Sequence, residues 1–181
     1  MKSQVHARLA AIAIYTVGLW VAACSGLGTA GDDAPENATM KPSVTYLHLL
    51  GHTPMFTQLD TRQLRWTIDH SREWEARPGT VVAACAEHGT GRNDDIWILL
   101  DGRWQVEEKG RTHPAGHADP GKWFSGATTR GDCRLVTTEL SYVMKITRAD
   151  MDSMLARGFA FDGHLREGQA YYASLFGRAA Q

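Results

Sequence analysis

Apolar and polar positions alternate most clearly in two parts of the chain. The first is Ile96-Trp97-Ile98-Leu99-Leu100-Asp101-Gly102-Arg103-Trp104-Gln105-Val106. Asp-Gly between two strand-like runs predicts a two-residue hairpin, with Leu99 opposite Trp104 and Trp97 opposite Val106. Trp97, Leu99, Trp104 and Val106 then share one face, the predicted core face, while Ile98 and Leu100 need cover on the other. The second part is 136–147, where Val136, Leu140, Tyr142, Met144 and Ile146 fall on one side and Thr137, Glu139, Ser141, Lys145 and Thr147 on the other. A period of two over that length predicts one half-buried strand. Shorter runs at 44–50, 63–68 and 80–86 predict three more strands, the last directly after the Pro78-Gly79 turn signal.

The C-terminal pattern changes to a helical period. Thr147-Arg148-Ala149-Asp150 has the form of a capping box and opens a helix that ends near Gly158. After Gly163, residues 164–176 place Leu165, Tyr172, Leu175 and Phe176 near one face. About five strands followed by two helices predict an α+β domain with a mostly antiparallel sheet. Between them, 107–132 has little periodicity and reads as a long loop carrying Trp123 and Phe124. Two adjacent aromatics there serve either as an exposed interface anchor or as a plug on the sheet edge.

The N-terminus reads differently. Lys2 and Arg8 precede 9–23, a charge-free run of 15 residues. As a helix that run is about 22 Å long, short of the roughly 30 Å hydrocarbon core. It fits the apolar part of a signal peptide. Val21-Ala22-Ala23-Cys24 resembles the lipobox of bacterial lipoproteins. The resemblance implies lipidation of Cys24 after cleavage before it, and Ser25 in the next position implies the outer membrane. The domains expected are 1–23 as signal peptide, 24–43 as lipidated Cys and flexible tether, and 44–181 as one globular periplasmic domain. Gly26-Leu27-Gly28-Thr29-Ala30-Gly31 matches a dinucleotide fingerprint but lacks the strand before it and the helix after it, so its glycines read as tether.

Composition narrows the function classes. A net charge of −1 without any basic block argues against nucleic-acid binding. With Cys24 assigned to lipid, Cys85 and Cys133 remain to form a disulfide in an oxidising compartment. His88, His113 and His117 are the candidate ligands should a metal bind, yet their spacing is not diagnostic. Ser125 lacks a nucleophile elbow, and Asp94, Asp95 and Asp101 lack calcium-loop spacing. No cofactor motif and no catalytic constellation emerges, so enzyme activity stays open without support. The leading expectation is a lipid-anchored periplasmic module that binds another protein, as an immunity protein, an inhibitor or an accessory subunit of an envelope assembly. Two alternatives stand beside it: a periplasmic hydrolase or metal-binding protein using the loop histidines, and a carrier or sensor of a small ligand.

Overall fold

The computed structural model describes residues 40–85, 94–129 and 132–177, all within the compact unit Ala34–Gln181. The signal-peptide and lipobox segment, Cys24, most of the expected tether and His88 lie outside the described residues. The α+β class is as expected, with helices beside antiparallel sheets.

The strands form two sheets. A five-stranded sheet contains β1 (Met40–Pro42), β2 (Ser71–Ala76), β9 (Ser141–Ile146), β4 (Ile96–Asp101) and β7 (Trp123–Phe124), in that spatial order. A four-stranded sheet contains β3 (Val81–Ala84), β8 (Cys133–Thr137), β5 (Arg103–Glu108) and β6 (Arg111–Gly116). Every strand pair among the described residues is antiparallel. β1 falls inside the stretch expected to be tether and pairs with β2.

The chain changes sheet repeatedly, and this corrects two expectations. Asp101-Gly102 does not close a hairpin: β4 pairs with β9 and β7, whereas β5 pairs with β6 and β8. The dipeptide is a corner between sheets, with Gly102 at φ +88° and a register shift in β4 between Leu99 and Asp101. A bulge before a corner re-aims the strand toward the facing sheet. The two-residue hairpin lies instead at Lys109-Gly110, where both residues have positive φ and β5 runs into β6. Likewise 136–147 is not one strand. It breaks at Thr138–Leu140, so β8 belongs to one sheet and β9 to the other.

The predicted core face survives this rearrangement. Trp97 and Leu99 of one sheet meet Trp104 and Val106 of the other in a single inner cluster with Phe124, Leu135 and Val143. Their side chains face each other across the space between sheets rather than across one hairpin. The opposite face of the five-stranded sheet, with Ile96, Ile98, Met144 and Ile146, builds a second cluster under the helices. β4 is therefore apolar on both faces, as its unbroken Ile-Trp-Ile-Leu-Leu run requires.

Two of the weaker strand expectations give way to helix. Residues 63–68 lie in α2 (Thr61–Asp69), and 44–50 ends in the short α1 (Leu47–Leu50). In α2 the Asp60 carboxylate accepts the Arg62 and Gln63 N–H groups at 2.8 Å, and the Gln63 side chain accepts the Asp60 N–H at 3.0 Å. That reciprocal cap overrides the alternation of Leu64, Trp66 and Ile68. The 80–86 run does form a strand, β3. α3 (Arg148–Ala156) starts at Thr147, whose hydroxyl accepts the Asp150 N–H, and gives way to Gly158 at φ +77°.

α4 (Asp162–Phe176) crosses β7 at very short range. The Trp123 indole N–H donates to the His164 carbonyl at 2.9 Å, and the Tyr172 hydroxyl donates to the Trp123 carbonyl at 2.7 Å. Burial pushes the Tyr172 phenol far above its ordinary pKa. Gly168 makes the crossing possible, because a Cβ there would lie 2.2 Å from Trp123 Nε1. Cys85 and Cys133 face each other with Cα atoms 5.0 Å apart and are joined as a disulfide across the paired ends of β3 and β8.

Two stability measurements follow. Gly168→Ala should lower the unfolding free energy by about 2–3 kcal/mol through overpacking against Trp123, read as a lower urea midpoint with unchanged m. Reducing the disulfide, whose cysteines are 48 residues apart, should remove loop-closure stabilisation of about 4 kcal/mol; an unchanged midpoint in dithiothreitol would contradict this.

Candidate functional site: the open end of the roll

The corners β2–β3, β4–β5, β6–β7 and β8–β9 all lie at one end of the two-sheet roll. Side-chain hydroxyls stitch them together. Ser141 Oγ accepts the Arg103 N–H at 3.2 Å and lies 3.0 Å from the Arg103 carbonyl. Thr137 Oγ1 accepts the Thr80 N–H at 3.2 Å and donates to the Arg77 carbonyl. At the other end the sheets are joined by the longer β3–β4 and β7–β8 connections. Ser125 links those two connections: its hydroxyl donates to the Asp94 carbonyl at 3.2 Å and accepts the Ala127 N–H at 3.3 Å. It caps the turn Gly126–Thr128 and has a positioning role.

A cavity of about 610 Å³ lies at this end, against the four-stranded sheet. Cys85, Cys133, Glu108, Lys109, Arg111 and Arg134 line it. Glu108 is the unusual member. It follows Trp104 and Val106 on the inward register of β5, pairs opposite Cys133 and Arg111, and is only 5% exposed. Its carboxylate has one ion-pair partner, the exposed Lys109 ammonium at 3.4 Å. Glu107, one residue earlier and on the other face, pairs with Arg134 at 2.7 Å. On the facing sheet the Trp97 indole N–H is buried without a hydrogen-bond partner. The Lys145 ammonium stands 5.8 Å from the centre of that ring and 2.8 Å from the Asp95 carboxylate. The inward carboxylate lines the cavity and suits a ligand that donates hydrogen bonds, whereas the unpaired indole donor belongs to the facing sheet and does not line it.

The residues singled out from sequence are placed differently from this cluster. Trp123 and Phe124 are 2% and 0% exposed, so they are the plug and not an interface. Trp123 belongs to the cluster under the helices and Phe124 to the one between the sheets. The stretch 107–132 is not a structureless loop either, since β5, β6 and β7 occupy much of it. His113 lies on β6 opposite Val106, and His117 stands 3.7 Å from Asp101 at the corner end. Among the described residues no group of three or more His, Cys, Asp or Glu is placed to hold a metal. Cys85 and Cys133 do reach the cavity wall. Glu108 and Trp97 were missed as site residues, although extending the inward parity of Trp104 and Val106 by two positions leads to Glu108.

No family model and no curated protein matches the sequence. Solved structures match the fold. The chain is 14% identical to the PKAR CBD2 domain solved with Sp-2Cl-cAMPS, over 74% of this chain and 88% of that one, with a TM-score of 0.54. A CooA mutant from Carboxydothermus hydrogenoformans is 16% identical over 72% and 84%, with a TM-score of 0.53. The regulatory subunit of a cAMP-independent protein kinase A from Trypanosoma cruzi, bound to guanosine, is 17% identical over 75% of this chain, with a TM-score of 0.51. The chain spans 50% of that subunit's length. These findings overturn the leading expectation of an outer-membrane lipoprotein, lipid-anchored in the periplasm and binding a protein partner. Two of these matching structures, the PKAR CBD2 domain and the Trypanosoma cruzi regulatory subunit, were solved with small ligands. The fold of the described residues is similar to that of these structures.

Proposed function

We propose that this chain is a small-ligand-binding domain, a sensor or carrier, which takes a nucleoside-sized polar ligand at the open end of its roll. The observation that carries the proposal is Glu108: an inward, buried carboxylate beside a cavity of about 610 Å³, with a single exposed ammonium as its ion-pair partner. That volume lies within the range of roughly 300–1,000 Å³ typical of small-molecule pockets. A carboxylate in that position accepts hydrogen bonds from ligand hydroxyl or amino groups. The Arg111 and Arg134 guanidiniums at the rim suit an anionic group such as a phosphate. Guanosine and Sp-2Cl-cAMPS, found with similar folds, have this character and guide the choice of test ligands.

The turn Gly126–Thr128 gives such a ligand a route to the rest of the domain. Ser125 ties the turn to the β3–β4 connection, and the turn packs against α4. A ligand that orders the connections at the open end therefore acts on the helix that carries Tyr172.

The test is thermal unfolding of the full chain with guanosine, cyclic AMP and cyclic GMP. At least one should raise Tm, and ligand at a hundredfold excess over Kd contributes about 2.7 kcal/mol. Glu108→Gln should weaken binding of that ligand about tenfold, the value of a charged hydrogen bond. If none of the three shifts Tm, or if Glu108→Gln binds as tightly as the native chain, the proposal fails.

A further inference from the structure

A second cleft, of about 480 Å³, lies on the outer face of the five-stranded sheet at its corner end, away from the open mouth. One wall is the segment leading into and through α1; the floor is Glu73, Leu100, Asp101 and Tyr142. Its composition is uneven in two ways. Five large apolar side chains are conspicuously exposed among the described residues, and three of them, Val44 at 68%, Tyr46 at 58% and Leu49 at 57%, stand on this wall. The floor is acidic, and no Lys or Arg lines the cleft among the described residues. Glu73 accepts a hydrogen bond from Thr45 through Oε2. Its Oε1 takes no hydrogen bond from another described side chain. Asp101 has His117 at 3.7 Å, and Glu75, just beyond the floor, has Lys41 opposite it on β1. The field at the floor is correspondingly negative. The charge of Glu75 first, then partial desolvation, and then Glu73 and Asp101 raise the Tyr142 phenol above its ordinary pKa.

We infer that this cleft binds an organic cation: an apolar, preferably aromatic, body seated against Tyr46 and Leu49, with an ammonium directed to Glu73 and Asp101. The occupant follows from charge complementarity. An anion would meet two carboxylates without a compensating Arg or Lys, and a neutral apolar molecule would leave the Glu73 carboxylate desolvated with only the Thr45 hydroxyl to offset its charge. Tyr46 adds a ring face for the cation and for an aromatic body. An apolar rim of this kind, exposed beside a polar floor, is otherwise uncommon on a soluble surface.

The probe series keeps the body constant and changes only the charge: tryptamine, its neutral alcohol tryptophol, and indole-3-acetate, each titrated calorimetrically into the full chain. Tryptamine should bind at least about tenfold more tightly than tryptophol, as expected for one charge-assisted hydrogen bond. Indole-3-acetate should give no binding heat. Glu73→Gln should reduce tryptamine affinity about tenfold while leaving tryptophol unchanged. Tyr46→Ser, at an exposed position outside any core cluster, should weaken tryptamine and tryptophol together. It decides the matter if Glu73→Gln loses its folded circular-dichroism signal. Equal binding of tryptamine and tryptophol, no tryptamine binding in the millimolar range, or tryptamine affinity unaltered by Tyr46→Ser would each overturn the inference.

Discussion

The close approach of Gly102 to Ser141 is the constraint on which this fold turns. A Cβ on residue 102 would sit 2.5 Å from Ser141 Oγ and 2.7 Å from the Leu140 carbonyl oxygen, and the backbone there has φ +88°. Both conditions select glycine. At this point the β4–β5 corner is pressed against the β8–β9 corner, and the Ser141 hydroxyl bonds the Arg103 backbone on the other side of the contact. Thr137 does the same for the β2–β3 corner through Thr80 and Arg77. Neither hydroxyl is free to solvent: Ser141 and Thr137 are buried, and buried polar groups of this kind stabilise only when fully bonded. With one end of the roll sewn shut, strand length carries the sheets to the opposite end, where the longer β3–β4 and β7–β8 connections run and Ser125 bonds Asp94. The cavity at Glu108 is the geometric counterpart of the sealed corners.

The same corners explain the two-sided burial of the five-stranded sheet. Because β4 and β9 leave their sheet at the corners, the strands that follow or precede them face them instead of pairing with them. That gives the inner cluster around Trp97 and Trp104. The outer face must then be covered by something else, and the helices supply it with Met151, Met154, Phe159 and Phe161. β7 shows the consequence over only two residues: Trp123 points into the helical cluster and Phe124 into the inner one. α4 can lie close enough to seal β7 only because Gly168 has no side chain in the way.

Local signals in the sequence were read well wherever the deciding interaction is itself local. The Thr147–Asp150 cap and the α4 face bearing Tyr172 came out as expected, since both are set within a few residues. The inward face of Trp97, Leu99, Trp104 and Val106 also came out, because parity along a strand does not depend on its partner. What failed was partner assignment. Asp-Gly supplies a residue with positive φ, but positive φ serves a hairpin and a corner equally well, and the choice rests on β9 and β8 competing for the same edges. Leu64, Trp66 and Ile68 alternate, yet Asp60 and Gln63 stand three residues apart just ahead of them, and that capping pair was the stronger signal.

The candidate site was less legible than the fold, for a related reason. Alternation reveals which apolar residues face inward and passes silently over the polar residue that ends the row. Glu108 looks like a solvated charge in a polar stretch, Glu107-Glu108-Lys109, until the hairpin at Lys109-Gly110 fixes which of the two glutamates continues the inward row. The adjacent Glu107 then falls outside and pairs with Arg134, while Glu108 is carried under the rim beside the disulfide. A carboxylate in that position contributes little to packing and loses hydration. Its presence in an otherwise apolar register is a cost to folding, and that is why the binding proposal rests on it. The Trp97 indole N–H, unpaired on the facing sheet, points the same way. Glu108 differs from it in having an ion-pair partner, the exposed Lys109 ammonium at its side.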